Sequence, residues 1–325
     1  MTETRSIAVT GASGFVGGHL VSFLRSRGHR VRVLVHRSER DFGPGVEILK
    51  GSVTQFQTVR ELVEGTDLVF HLASALGMKL LSDKAFYHIN VEGSRILMEE
   101  ARRAGVEKVV HFSSAGVYGK NPGTEPLPES APLNPVDIYE RTKMQGEQAV
   151  LGFRDQVNLT VIRPGWIFGE GDRRTLKLIR QINSGWFFIA GRGHKMHSPI
   201  HISDLIAGTW LSAARAPSGE IFNLGGTSLS INRMCRTIAR ALGKKGIFLR
   251  LPIAAVYPLA CVLEKGFGAI KREAPLSRAK LAFFLRGKPI DSGRARDILG
   301  FQESDTFSGH LRKTVAWYRE QGWLG

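Results

Sequence analysis

Through its first half the chain alternates short apolar runs with longer amphipathic ones. Residues 7–9, 31–35, 46–49, 67–72, 108–112 and 159–162 are apolar runs of strand length, and the pattern predicts six strands. Residues 19–27 and 89–104 place apolar side chains three and four apart, which predicts helices with one face in a core. Strands alternating with helices imply an α/β fold built on a doubly wound parallel sheet. Ligands of such sheets bind beyond the carboxyl ends of the strands. After Arg163-Pro164-Gly165 the alternation gives way to Gly- and Arg-containing loops and an apolar–basic segment. Residues 220–224 read as one more strand returning to the sheet.

The first two strands are joined through Thr10-Gly11-Ala12-Ser13-Gly14-Phe15-Val16-Gly17. Gly11 permits a tight turn, Gly14 lets backbone approach a pyrophosphate, and Gly17 lets the new helix pack closely on the strand. Phosphates would sit at the helix N-terminus, where unpaired N–H groups and the positive dipole end favour anions. A strand–glycine turn–helix–strand unit predicts dinucleotide binding, with Gly11, Ser13, Gly14, Phe15, Val16 and Gly17 around the cofactor. The sheet is then of the Rossmann type. Residues 1–165 form the dinucleotide-binding domain, about 200–226 return to it, and 166–325 are mainly a smaller, less regular substrate lobe.

Composition narrows the setting. With 325 residues, 42% hydrophobic and 23% charged, the chain can bury a large core. Its two cysteines, Cys235 and Cys261, allow neither a disulfide framework nor zinc spacing and fit a reducing compartment. The polar opening Met1-Thr2-Glu3-Thr4-Arg5 leads directly into the first strand, so the expected location is the cytoplasm. The net charge of +16 is uneven, with twelve basic and four acidic residues between Lys244 and Asp297. Within that stretch residues 251–263 are apolar, interrupted by Pro252 and Pro258. The run is shorter than the roughly 20 residues a membrane-spanning helix needs. Two readings remain open: a buried or lid helix with solvated charged neighbours, or a segment, 251–272, in peripheral contact with an anionic membrane. The basic residues lack a binding motif or interleaved aromatics, so no nucleic acid is expected. His194, His197 and His201 recur at i, i+3 and i+7, but Pro199 interrupts them and no carboxylate joins at ligand spacing. No metal is expected. Long helices beside the sheet could pair two subunits as a homodimer.

Tyr139-Glu140-Arg141-Thr142-Lys143 sets a phenol and an ammonium at i and i+4 on one helix face. An adjacent lysine is expected to lower the phenol from about 10, so that the tyrosine can exchange a proton with a carbonyl or alcohol. His111-Phe112-Ser113-Ser114-Ala115-Gly116-Val117-Tyr118-Gly119 ends the fifth strand, and a serine there can polarise a substrate oxygen.

In combination these motifs resemble the extended short-chain dehydrogenase/reductase family, which includes nucleotide-sugar epimerases and dehydratases. The resemblance covers nearly all of residues 5–226. Thr10 to Gly17 is similar to the family's TGxxGxxG turn, and Asp67-Leu68-Val69-Phe70-His71-Leu72-Ala73 to its DxVxHLA strand beside the nicotinamide ribose. Asn90-Val91-Glu92-Gly93 resembles NVxG, and Ser113 to Gly119 resembles SSxxVYG. Arg163-Pro164-Gly165 resembles the segment lining the carboxamide, and His201-Ile202-Ser203-Asp204 the HVxD segment. The resemblance implies Ser114, Tyr139 and Lys143 as the catalytic set. It also implies Leu72, Ala73, Ser74, Asn90, Pro164 and Gly165 beside the cofactor, with Tyr139 and Lys143.

Two departures matter. Where the family's third strand usually ends Gly-Asp, this chain has Gly51-Ser52 and then Val53, so the adenine contact falls to the Ser52 hydroxyl or the backbone at Val53. The second strand ends His36-Arg37-Ser38 without the acid that would bind the ribose of NAD. Arg37, beside His36, can hold the 2′-phosphate of NADP, so NADP(H) is favoured and NAD(H) is the alternative. The loops Leu76-Gly77-Met78-Lys79-Leu80-Leu81 and His194 to Ile200 are less polar than a nucleotide-sugar site wants. They look more like the branch of 3β-hydroxysteroid dehydrogenases and dihydroflavonol reductases. The expectation is therefore an NAD(P)-dependent oxidoreductase moving hydride between nicotinamide and a hydrophobic ketone or secondary alcohol, steroid-, lipid- or flavonoid-like. The alternatives are a nucleotide-sugar epimerase or dehydratase with tightly held NAD, and a non-catalytic dinucleotide sensor.

Overall fold

In the computed structural model residues 3–76, 81–120, 125–185, 187–269, 274 and 276–324 are described. Seven strands make one parallel sheet: β1 (Ser6–Thr10), β2 (Arg30–Val35), β3 (Val46–Lys50), β4 (Leu68–His71), β5 (Lys108–Phe112), β6 (Leu159–Pro164) and the later strand Glu220–Leu224. The order runs Glu220–Leu224, β6, β5, β4, β1, β2, β3. β1 pairs in parallel with both β2 and β4. The chain therefore leaves β1 in opposite directions, and the crevice at that switch point is where such sheets bind ligands.

Both faces of the central strands β1, β4, β5 and β6 are covered, and these strands are buried almost throughout; β3, at the edge, buries only Leu49. Ile7 and Val9 of β1 point into a core closed by α1 (Phe15–Ser26) and α7 (Ile202–Arg215), with Leu20, Leu24, Leu205 and Phe222. Ala8, between them, points to the other core with Val59, Leu62, Leu97, Val109 and Val161. That side is covered by α2 (Phe56–Val63), α4 (Gly93–Arg103) and α5 (Ile138–Leu151). The single helix expected over 89–104 is instead α3 (Asp83–Tyr87), a π-turn His88–Glu92 and α4. The π-turn occupies only the opening of the expected span, and the buried apolar residues that set its helical period, Ile96, Leu97 and Ala101, lie in α4.

Beyond β6 the chain builds α6 (Arg173–Asn183), α8 (Ile231–Ala241), α9 (Ile253–Ala269), α10 (Arg278–Leu285) and α11 (Phe307–Glu320). Three short two-stranded pairs stitch them together, among them Phe188–Ala190 with Leu249–Leu251. Phe168, Leu176, Ile179, Ile231, Ile238, Leu311 and Tyr318 form the core of α6, α8 and α11. No helix among the described residues is long and apolar enough to cross a membrane.

Candidate active site

The glycine turn has the geometry its sequence demands. Gly11 adopts φ +69°, and a Cβ there would lie 2.6 Å from the Leu72 carbonyl carbon. A Cβ on Gly17 would lie 2.2 Å from the Gly11 oxygen, so only glycine lets α1 start this close to β1. α1 begins after Gly14 with no side-chain cap, which leaves its first-turn N–H groups for an anion. Behind the turn, Thr10 Oγ1 lies 2.7 Å from His71 Nδ1 and accepts from the Ala73 N–H at 3.1 Å. β1 and the end of β4 are thereby locked side by side.

α5 delivers the phenol and the ammonium. Asp137 caps it by accepting from the Glu140 N–H at 2.9 Å, while Glu140 reaches back to the Val136 N–H at 2.8 Å. This reciprocal cap starts the helix one residue before Tyr139. Deeper in, Glu147 pairs with Arg163 of β6, the Arg163 guanidinium donates to Tyr118 Oη at 2.8 Å, and that phenol donates to Asn223 Oδ1 at 2.8 Å. The buried chain of contacts fixes α5 against β6, the 3₁₀ turn Ala115–Tyr118 and the returning strand. Lys143 is buried and its ammonium donates to the Phe112 carbonyl. Ser114 accepts from the Gly116 N–H at 3.0 Å, and its hydroxyl lines the same cleft as the Tyr139 phenol.

Desolvation in the cleft pushes the Lys143 ammonium down to about 8, partly offset by Glu147. It pushes the Tyr139 phenol above its usual value, with the Ser114 hydroxyl acting the other way. This corrects the expectation that Lys143 sets the phenol low: the lysine is turned to the Phe112 carbonyl, and burial dominates both groups. His71 and His111 lie beneath the site with ring centroids 5.2 Å apart, and burial drives both imidazoles toward the neutral form, His71 to about 3.

Gly11, Ser13, Gly14, Phe15, Val16, Gly17, Leu72, Ser74, Ser114, Tyr139, Lys143, Pro164 and Gly165 line one cleft of about 710 Å³. The other expected cofactor residues do not line it. Ala73 gives its N–H to Thr10. Asn90 is buried, accepts from Ser74 Oγ and the Ala75 N–H, and donates to Thr142 Oγ1 at 2.9 Å. Its side chain thus ties the loop after β4 to α5 and reaches the site through those partners. Ser52 bonds to Thr54, and Val53 is buried where a Cβ on Gly93 would fall. His36 and Arg37 are exposed beyond the end of β2. Arg40, which no motif flags, donates to the Ser13 and Gly14 carbonyls at 3.4 and 3.2 Å.

The opposite wall comes from the second lobe: Trp166, Ile167, Arg174, His197, Ala282, Phe283, Arg286 and Lys288. His197 stacks on Phe283 with centroids 4.6 Å apart and donates from Nε2 to the Phe283 carbonyl at 3.0 Å. Burial holds it neutral, its imidazole lowered to about 4. Lys288 pairs with buried Glu140. Apart from His197, sequence reasoning missed this wall, since Phe283, Arg286 and Lys288 reach the site by tertiary contact and carry no local motif. Leu76 lines the cleft, but residues 77–80 of the loop read as apolar lie outside the described residues.

The donors present, an uncapped helix end behind a glycine turn with no acid in its first turn, suit a dinucleotide pyrophosphate. Residues 7–225 match the NAD dependent epimerase/dehydratase family. The chain belongs to that family and is an enzyme of the extended short-chain dehydrogenase/reductase type. It is similar to sterol demethylase protein B of Methylococcus capsulatus, 29% identical over 97% of this chain and 99% of that one. It is also similar to the 4-hydroxy-2-methyl-3-oxo-4-farnesyl-3,4-dihydroquinoline-1-oxide ketoreductase of Stigmatella aurantiaca, 30% identical over 90% of each. Among solved structures, MoeE5 in complex with UDP-glucose and NAD aligns with a TM-score of 0.77 and 25% identity, over 97% of this chain and 99% of that one.

Proposed function

We propose that this enzyme is an NADP(H)-dependent oxidoreductase acting on a hydrophobic ketone or secondary alcohol of steroid, lipid or flavonoid character. The observation that carries the substrate class is the neutral, stacked pair of His197 and Phe283, set with Trp166, Ile167 and Ala282 opposite Tyr139. This aromatic and aliphatic patch within the wall favours an apolar skeleton at that position. Relatives named for sterol demethylation and for reduction of a farnesylated ketone support the same reading.

When bound, the nicotinamide supplies or accepts the hydride. The residues of this chain do the rest. Gly11, Gly14 and Gly17 give the pyrophosphate its approach, and Arg37 with Arg40 takes the 2′-phosphate. Ser114 orients the substrate oxygen while Tyr139 gives or takes the proton there. Lys143 holds the ribose and, once charged beside it, assists the phenol.

Arg174 and Arg286 in the cleft favour a second reading, a nucleotide-sugar epimerase or dehydratase with recycled NAD, in which they would meet a diphosphate. A non-catalytic sensor would have no use for the assembled Ser114, Tyr139 and Lys143. The test is turnover of the purified protein with NADPH and a panel of ketosteroids and prenylated ketones, against UDP-sugars. Stoichiometric loss of NADPH absorbance with the apolar ketones alone supports the proposal; conversion of a UDP-sugar without net cofactor use overturns it.

A further inference from the structure

We propose that the outer face of α9, with the chain leading into it and the exposed side of α8, is a docking surface for an anionic lipid bilayer. α9 packs inward through a narrow stripe: Val256 and Ala260 are buried with Ala190 and Leu281. Ile253, Tyr257, Leu259 and Val262 on the same helix are 42%, 42%, 52% and 67% exposed. Just ahead of it Ile247 and Leu249 are 85% and 65% exposed. Eleven large hydrophobic side chains are exposed among the described residues, and six of them fall between 247 and 262. Single exposed apolar residues are ordinary on a protein surface; a concentration of them marks an interface.

Charge identifies the occupant. Ile247 shares a pocket of about 340 Å³ with Arg236, Arg240, Lys245 and Arg250, and no acid lines it. All four cations are exposed. Cationic groups beside exposed aliphatic side chains match lipid phosphates lying over acyl chains. A second copy of a chain carrying +16 would bring like charges together, and an acidic protein would answer the cations but not the aliphatic run. The contact is peripheral, since no described helix can span the bilayer. The inference does not depend on the substrate reading, because it is read by binding rather than by turnover.

The experiment is sedimentation of the full chain with vesicles of phosphatidylcholine containing phosphatidylglycerol, against phosphatidylcholine alone, at low and high salt. The protein is expected to pellet with the anionic vesicles and to be released as the Debye length falls to about 3 Å near 1 M salt. Arg236→Gln with Arg240→Gln and Arg250→Gln should weaken binding roughly tenfold or more. Leu259→Ser with Val262→Ser should weaken it too, and an unchanged cofactor affinity shows that these surface variants fold. Equal or absent binding to the two vesicle types overturns the proposal, as does binding indifferent to either set of changes. A vesicle-independent dimer that Leu259→Ser dissociates would assign the face to a second copy instead.

Discussion

Tyr139 and Lys143 stand one helical turn apart, and burial pushes both toward their uncharged forms, the phenol upward and the ammonium down to about 8. For ketone reduction the phenol must arrive protonated, which its raised value ensures across neutral pH. The lysine must arrive charged. Its amine form accumulates as pH rises through about 8, so kcat/KM for the reductive direction, which reports the free enzyme, should be level below that pH and fall above it. A pH profile checks this, and Lys143→Met should remove the limb along with most activity. Tyr139→Phe should lower kcat by roughly 10²–10⁴-fold, the usual worth of a positioned general acid, while leaving cofactor affinity nearly unchanged. Stopped-flow turnover and cofactor titration together decide it, and an equal loss of affinity would make the hydroxyl structural. At the cofactor's other end, Arg37→Ala and Arg40→Ala should each weaken NADP binding far more than NAD binding. A lost charge-assisted contact is worth about 1.5–3 kcal/mol, or roughly tenfold to more than a hundredfold. Titration of both cofactors reads the difference.

At the scale of elements, the site depends on α5 being held at one height and rotation. The Glu147–Arg163 pair does this from below, with both side chains buried and Arg163 also donating to Tyr118 and the Glu129 carbonyl. Glu147→Gln leaves a buried guanidinium without its counter-charge, and breaking such a pair costs about 3–5 kcal/mol. Denaturant unfolding should show that loss. The glycine turn and the Tyr139/Lys143 helix face were legible in the sequence because their requirements are local: φ at Gly11, close approach at Gly17, a four-residue spacing. The π-turn at His88–Glu92 was not, because the apolar residues that set the helical period lie after it, in α4. Asn90 was legible as important, yet its partners Ser74, Ala75 and Thr142 could not be read without the fold.

Over the whole molecule, legibility follows burial. The central strands have both faces covered and are buried almost throughout, and the glycine turn, Ser114 and Pro164-Gly165 fall at the carboxyl ends of β1, β5 and β6. The second lobe packs through scattered contacts such as His197 with Phe283 and Lys288 with Glu140, which no sequence spacing announces. The run over 251–263 kept two readings because core and interface helices have the same composition. The structure gives α9 a buried stripe at Val256 and Ala260 and leaves Tyr257, Leu259 and Val262 exposed on its other sides. The cations that accompany these residues come largely from α8 and the loop before α9, outside the segment itself; Lys271 and Arg272 lie outside the described residues.

Hydride transfer to an apolar ketone is the central claim, and an isotope reads it directly. The enzyme is incubated with NADPH carrying deuterium at both C4 positions of the nicotinamide and a ketosteroid or prenylated ketone, and the product is analysed by mass spectrometry. The account predicts one deuterium retained on the new carbinol carbon for each NADPH consumed, with Tyr139→Phe giving the same labelled product roughly 10²–10⁴-fold more slowly. A product without label, or a UDP-sugar epimerised while the cofactor pool stays unchanged, would contradict it.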